Sequence, residues 1–153
     1  MERLNPRVQI LWALQALIGA GLLGGVVTGV LYVVRRDLLL LGPALFAVLA
    51  LVGLLHTVLR YRIWRFEVQD DALFLHRGVL TRVRTVVPYV RVQHVDTQRS
   101  PFERLAGLSS VVIYTAGSRG ADVTIPGLVP DRATSLQERL RTLVGERDTD
   151  DAV

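Results

Sequence analysis

The sequence contains no cysteine and no lysine among its 153 residues. Without cysteine, the chain has no disulfide, no thiol nucleophile and no thiolate ligand for a metal. Without lysine, Schiff-base chemistry and a lysine contact to phosphate are excluded as well, so all 18 basic side chains are arginines. The planar guanidinium group of arginine suits phosphate bidentately.

Charge is scarce at the start of the chain: the first 59 residues hold six charged side chains, and residues 60–153 hold the other 26. Two uncharged runs account for this, 27 residues over 8–34 and 22 residues over 38–59. As a helix, each run is long enough to cross a hydrocarbon core of ~30 Å. Because only three residues separate the runs, we predict an antiparallel pair of transmembrane helices over residues 1–59.

Two other interpretations of the first run fit the sequence less well. The apolar core of a cleaved signal peptide has only ~7–15 residues, and this run is about twice as long. A soluble protein of this size would not bury so long an uncharged helix beside a second one. The membrane hairpin is therefore the favoured interpretation.

The arginines around the two runs predict an orientation. Two of them, Arg35 and Arg36, lie in the short loop between the runs. Five lie on the other side: Arg3, Arg7, Arg60, Arg62 and Arg65. Since arginine is enriched in cytoplasmic loops, we predict a multi-pass protein of the cell membrane with both termini in the cytoplasm.

Three glycines recur every four residues in the first run: Gly21, Gly25 and Gly29. Small residues at this spacing let two helices approach closely in a membrane. The stripe predicts helix packing, either of the hairpin within one chain or of several copies in a homo-oligomer.

Residues 60–144 show a different periodicity, typical of short strands followed by one helix. Apolar and polar residues alternate over 61–69, as in a half-buried strand. A helical stripe starts near Asp131, and Gly145 is expected to end it. The acidic segment 145–153 is expected to be disordered. Successive strands before a single helix favour an antiparallel barrel or sheet closed by a C-terminal helix.

A short helix is also predicted between two of the strands. Ser100 at the N-cap, Pro101 at the first helical position and Glu103 three residues after the cap form a capping box. Gly107 is expected to end this helix.

The central segment from Val87 to Leu108, VPYVRVQHVDTQRSPFERLAGL, resembles the signature "vP…RIQ.V…qsp.eR..Gl" of bacterial membrane proteins with a PH-like domain (bacterial PH domain 2, formerly DUF304). Residues 112–117 and 125–128 fit the same pattern, and the two preceding spans match the small YdbS-like members. Val92 and His94 depart mildly from it. The resemblance implies a PH-like barrel closed by a C-terminal helix over 60–144. It implies little chemistry and suggests a companion protein of the same family as a partner.

No catalytic or metal-binding constellation is evident in the sequence. The histidines, His56, His76 and His94, are far apart and lack the spacing of metal ligands. We therefore expect neither an enzyme nor a cofactor. The leading hypothesis is an interaction or scaffold module on a membrane anchor, in cell-envelope homeostasis. The segment 99–107 is expected to serve the fold, with docking of a partner protein as the alternative.

A second hypothesis assigns the domain to anionic lipids. Residues 60–144 carry 13 arginines against eight acids, and Arg77, Arg82 and Arg84 flank one predicted hairpin. Arginines close to an anionic leaflet each contribute on the order of 1 kcal/mol of attraction. Nucleic acid is not expected as a partner, because acids interleave with the arginines and no aromatic stacking platform is apparent.

Overall fold

The structure, a computed structural model, describes residues 1–117 and 122–150. The chain divides into two units. The helical unit comprises Gln9–Arg62, and the second unit combines Met1–Val8 with Ile63–Val153. We call the second unit the sheet domain.

Two long helices form the helical unit. Helix α1 spans Val8–Val34 and helix α2 spans Leu41–Ile63, with a 3-10 turn at Arg36–Leu38 between them. Both are long and apolar enough to cross a membrane. The bounds of α1 agree with the predicted run over 8–34, whereas α2 starts and ends later than the predicted run over 38–59.

Helix α2 continues beyond the point at which its hydropathy falls. Arg60 remains helical, and its guanidinium lies 4.0 Å from the centre of the Trp12 ring on α1. Such a cation–π contact stabilises a charge next to an apolar surface. The first charged residue is therefore not the end of this helix.

Small residues allow α1 and α2 to approach each other, but they are not the predicted stripe. A Cβ atom on Gly24 would lie 2.8 Å from Cβ of Phe46, and one on Gly42 would overlap Thr28. In contrast, Gly25 and Gly29 have nothing within 4 Å of such an atom, and Gly21 reaches Phe46 only at 4.0 Å. The interpretation that Gly21, Gly25 and Gly29 pack the hairpin within one chain is therefore wrong for Gly25 and Gly29. An α-helix has 3.6 residues per turn, so the adjacent positions 24 and 25 lie on different faces of α1.

The sheet domain contains two antiparallel sheets and two helices. The first sheet has the order β1-β2-β3-β4, and its strands are Glu2–Arg3, Arg65–Val68, Ala72–Arg77 and Val83–Pro88. The second has the order β5-β6-β7, and its strands are Val92–Gln98, Ser109–Thr115 and Val123–Leu128. Helix α3 spans Pro101–Ala106, and helix α4 spans Pro130–Asp150.

The core of the domain takes side chains from both sheets and from α4. Its largest fully buried members include Phe66, Leu75, Ile113, Ile125, Leu136 and Leu140. The residues from the strands follow the period-two alternation of a sheet face. Leu136 and Leu140 of α4 follow the i, i+4 spacing of a helix face. Two sheets and one helix thus share one hydrophobic core.

A closed barrel is not confirmed by the structure. Within the described residues the strands form two separate sheets, and the 3-10 turn Tyr89–Arg91 separates β4 from β5. The Tyr89 ring is buried, and its hydroxyl donates a hydrogen bond to the carbonyl of Gln69 at 2.7 Å. This anchored turn directs the chain from one sheet to the other.

The last helix is longer than predicted. Helix α4 runs through Gly145 to Asp150, so the prediction that it ends at Gly145 is wrong. A glycine in a helix interior costs ~1 kcal/mol relative to alanine, which is insufficient to stop a helix by itself. Residues 145–150, expected to be disordered, are therefore helical, while residues 151–153 of the expected tail lie outside the described residues.

An N-terminal strand completes the first sheet, which the sequence did not predict. Arg3 pairs with Arg65 of β2, and the Asn5 amide donates to the carbonyl of Gly127 at 2.8 Å. Glu2 also forms an ion pair with Arg132 of α4. Gly127 has φ +66°, and a Cβ atom there would lie 2.6 Å from Cβ of Val8. The first eight residues are thus a packed part of the domain.

The predicted cap of α3 is confirmed. The Glu103 amide donates to Oγ of Ser100 at 3.3 Å, and the Ser100 amide donates to Oε2 of Glu103 at 2.8 Å. Ser110 donates a further hydrogen bond to the Glu103 carboxylate. Gly107 adopts the left-handed conformation that ends the helix. The cap fixes this short helix to the start of β6.

Candidate functional site

The sheet domain has one end at which the chain passes into the helical unit. The chain leaves the domain after Val8 and returns to it at Ile63. Strand β1 ends at Arg3, shortly before the first crossing point, and β2 begins at Arg65, shortly after the second. We call this end of the first sheet the connection end.

Four basic side chains form a row across the connection end. In register, Arg3 pairs with Arg65, Arg65 with His76, and His76 with Arg84. Directly paired residues of an antiparallel sheet share one face. We call Arg3, Arg65, His76 and Arg84 the basic row. The adjacent positions of β2 and β3, Phe66 and Leu75, are buried in the core, so the basic row lies on the outer face.

The basic row concentrates like charge at an energetic cost. Neighbouring strands lie ~4.8 Å apart, and like charges directly opposite each other in a sheet are destabilising. Among the residues that the structure describes, no carboxylate forms an ion pair with Arg3, Arg65 or Arg84. Glu67, on the same face, lies 3.9 Å from the Met1 ammonium. The arginines of the row are therefore able to bind an anion.

The three arginines predicted as a lipid site are separated by the structure into two groups. Arg84 belongs to the basic row. Arg77 ends β3 opposite Val83, one position away from the row and therefore on the other face, and Arg82 lies in the turn before β4. All three are at the connection end, but only Arg84 lies in the row.

Sequence reasoning missed three members of the row as site residues: Arg3, Arg65 and His76. In the sequence analysis, Arg3 and Arg65 were used only to predict the orientation in the membrane. The polar phase of the alternation over 61–69 does place Arg65 on an exposed face. The pairing of Arg3 joins segments on opposite sides of the helical unit, which no local pattern reveals.

Exposed apolar side chains accompany the basic residues. Leu80, in the turn between β3 and β4, is 97% exposed. On α3, Leu105 is 86% exposed and Phe102 is 45% exposed. Together they form two apolar projections, one on each sheet.

A cleft lies beside the outer edge of β4. It has a volume of about 260 Å³, and its lining includes Thr85, Val87, Arg91 and Thr115. Within the described residues, β4 pairs only with β3. Among the described strands this edge has no second partner, a geometry that accepts an added strand.

The described residues bring no set of three histidine, aspartate or glutamate side chains together for a metal ion. His76 belongs to the basic row, and His56 lies in α2. His94 stacks on Tyr114 with a centroid distance of 4.2 Å and lies 3.9 Å from Asp96.

Comparison with known proteins agrees with this architecture. The family of the bacterial PH domain matches residues 16–144. The UPF0699 transmembrane protein YdbS of Bacillus subtilis (strain 168) is 36% identical over 94 residues, which is 61% of this chain. The match spans only 56% of that relative. No solved structure matches the chain. With two membrane-capable helices and a matching domain, the chain is a membrane protein that belongs to the bacterial PH domain family.

Proposed function

We propose that this chain is a non-catalytic, two-span membrane protein whose sheet domain lies in the cytoplasm and contacts the anionic lipid headgroups of its own membrane. The observation that carries the proposal is the position of the basic row, at the connection end. A domain tethered by that end holds the row next to the leaflet from which its anchor emerges.

The pairing of β1 with β2 supports the two-span topology. Arg3 and Arg65 lie on the two sides of the helical unit in sequence, and they share one sheet. This pairing supports a chain that leaves and returns on the same side, with an even number of membrane crossings. The excess of arginines flanking the connection end, five against two in the loop, favours the cytoplasm for that side.

Electrostatics supports the lipid partner. The basic row carries three arginines without a carboxylate partner among the described residues, and each arginine near an anionic leaflet contributes on the order of 1 kcal/mol. Phosphate oxygens placed between opposed guanidinium groups would relieve their mutual repulsion. The same anion would satisfy the bidentate geometry of arginine.

Thermal unfolding of the full chain in neutral detergent micelles tests the proposal. Added phosphatidylglycerol should raise the Tm more than phosphatidylcholine does, because a ligand of the folded state stabilises it. Loss of two arginines should raise the lipid concentration for half-maximal stabilisation by ~25-fold. The double variant Arg65→Gln/Arg84→Gln removes them.

Arg91→Gln is the matched control, because Arg91 is an exposed arginine beyond the opposite end of β4. It should behave as the unmodified chain does. If Arg65→Gln/Arg84→Gln and Arg91→Gln respond equally to phosphatidylglycerol, the basic row is not the lipid contact and the proposal fails.

A scaffold role in cell-envelope homeostasis is the second candidate, and the open edge of β4 favours it. Val83 and Val86 on this strand are exposed, next to the cleft described above. An extended segment of a companion family member or of a second copy would fit such an edge. Crosslinking from Val86 in native membranes, followed by identification of the attached protein, tests this role; no attached protein would argue against it.

A further inference from the structure

We propose that the sheet domain inserts two apolar projections into the anionic leaflet, the β3–β4 turn at Leu80 and helix α3 at Phe102 and Leu105. The inference rests on the proposed function, which places the connection end at the membrane. It goes further by naming a second mode of contact, apolar insertion, and the side chains that perform it.

Leu80 is placed at the connection end by strand register. Arg65, the first residue of β2, pairs with His76, so β3 ends at Arg77 just beyond the start of β2. The turn that carries Leu80 follows directly and leads back into β4 at Val83. Leu80 is the most exposed large hydrophobic residue of the described chain, at 97%. An apolar side chain held fully in water at a turn is stabilised by any apolar environment it can enter.

Helix α3 reaches the same end through the second sheet. Ser109, just after α3, pairs with Leu128 at the end of β7. Gly127 of that strand accepts the Asn5 amide, close to the point where the chain enters α1. A Cβ atom on Gly107, the C-cap of α3, would lie 3.6 Å from Nη1 of Arg7. The α3 projection and the Leu80 turn are therefore on the same end of the domain.

Each projection is bordered by arginine. Arg77 and Arg82 flank the Leu80 turn, Arg99 precedes α3, and Arg104 lies between Phe102 and Leu105. Apolar tips with cationic borders suit the interface of an anionic leaflet, where the tip enters the acyl boundary and guanidinium groups stay with the phosphates.

Charge also argues against another occupant. A second copy would bring the same arginines to this end, and the repulsion between them would oppose burial of the tips. The anionic leaflet supplies the complementary charge. It also lies within reach of a domain whose chain enters and leaves the anchor at this end.

Absence of cysteine makes a direct test possible, since a single introduced thiol carries the only label. The variants Leu80→Cys and Leu105→Cys receive an environment-sensitive nitrobenzoxadiazole group, and the full chain is reconstituted into vesicles of phosphatidylglycerol and phosphatidylcholine. The fluorescence emission of both labels should shift to shorter wavelength. Lipids spin-labelled along the acyl chain should quench it. Val90→Cys is the matched control: Val90 is 64% exposed and lies beyond the opposite end of β4, so its label should report water.

Three outcomes are distinguishable. Quenching at positions 80 and 105 but not at 90, weakened in pure phosphatidylcholine, supports insertion. Labels at 80 and 105 that stay in water, while phosphatidylglycerol still stabilises the chain through the basic row, overturn insertion and leave the proposed function standing. A wavelength shift without quenching by spin-labelled lipid indicates burial against protein and also overturns the inference.

Discussion

Tyr89 lies at the turn between the two sheets, where its hydroxyl helps to fix the path of the chain. Its hydrogen bond to the Gln69 carbonyl is 2.7 Å long, and the ring is almost fully buried. Burial raises the pKa of Tyr89 to about 12, because the phenolate would be poorly solvated there. The neutral form therefore belongs to the folded domain.

This pKa leads to a prediction for alkaline pH. The pKa of Tyr89 is higher in the folded state than in the unfolded state, where it is ~10. The neutral hydroxyl therefore stabilises the fold below pH ~10, and this contribution is lost as the pH rises from ~10 to ~12. The chain has no lysine or cysteine whose titration would add to the change in this window. Tyr89→Phe should cost ~1 kcal/mol at neutral pH and should flatten the alkaline loss.

Unfolding of the full chain in detergent, monitored by circular dichroism at several pH values, measures both effects. Tyr114→Phe serves as the control, because Tyr114 is only half-buried and should leave the alkaline loss in place. An equal loss of stability at high pH in the chain and in Tyr89→Phe would contradict the assignment.

At the scale of elements, the helical hairpin depends on where small residues meet. Gly42 accommodates Thr28 so closely that an added Cβ would overlap it, while Gly25 faces open space. Both positions lie in helices of similar composition, so the two glycines differ chiefly in what they contact.

Gly42→Val should therefore destabilise the hairpin by ~1–3 kcal/mol, the usual range for overpacking, and Gly25→Val should change it little. Unfolding in mixed micelles with increasing dodecyl sulfate compares the two variants, which carry the same glycine-to-valine change. If both lose the same stability, contact across the hairpin is not the reason for the small residue at position 42.

Elements differ in how far the sequence specifies them. The bounds of α1 and β6 and the cap of α3 follow from local signals, namely an uncharged run, a β-branched run and a Ser-Pro-x-Glu motif. The two-residue strand β1 has no such signal, because its pairing partner lies beyond both membrane helices. The basic row was missed for the same reason, since its members come from four strands. Barrel closure was expected from family resemblance and is not confirmed: the strands of the described residues form two sheets, with the turn at Tyr89 between them.

At the scale of the whole molecule, the proposed topology places both ends of the anchor on one side of the membrane, as the pairing of β1 with β2 favours, and the arginine distribution favours the cytoplasm for that side. The absence of cysteine permits a clean test in intact cells, because the unmodified chain gives no background. Asp37→Cys places a thiol in the loop between α1 and α2, and Thr134→Cys places one on the exposed side of α4.

We expect a membrane-impermeant maleimide to label Asp37→Cys in intact cells and to label Thr134→Cys only after permeabilisation. The reverse pattern would put the domain outside the cell and would remove the cytoplasmic leaflet as its partner. Labelling of both in intact cells would contradict an even number of crossings with a cytoplasmic domain.

The participation of β1 in the first sheet has a consequence for biosynthesis. The ribosome produces Glu2 and Arg3 before the helical hairpin and their partner strand after it, so the domain cannot acquire its edge until both helices have emerged. In the proposed topology, the N-terminal segment stays on the side of the ribosome throughout insertion. A translocation error that carried this segment across would leave the first sheet one strand short. Completion of the domain therefore depends on correct insertion of the hairpin.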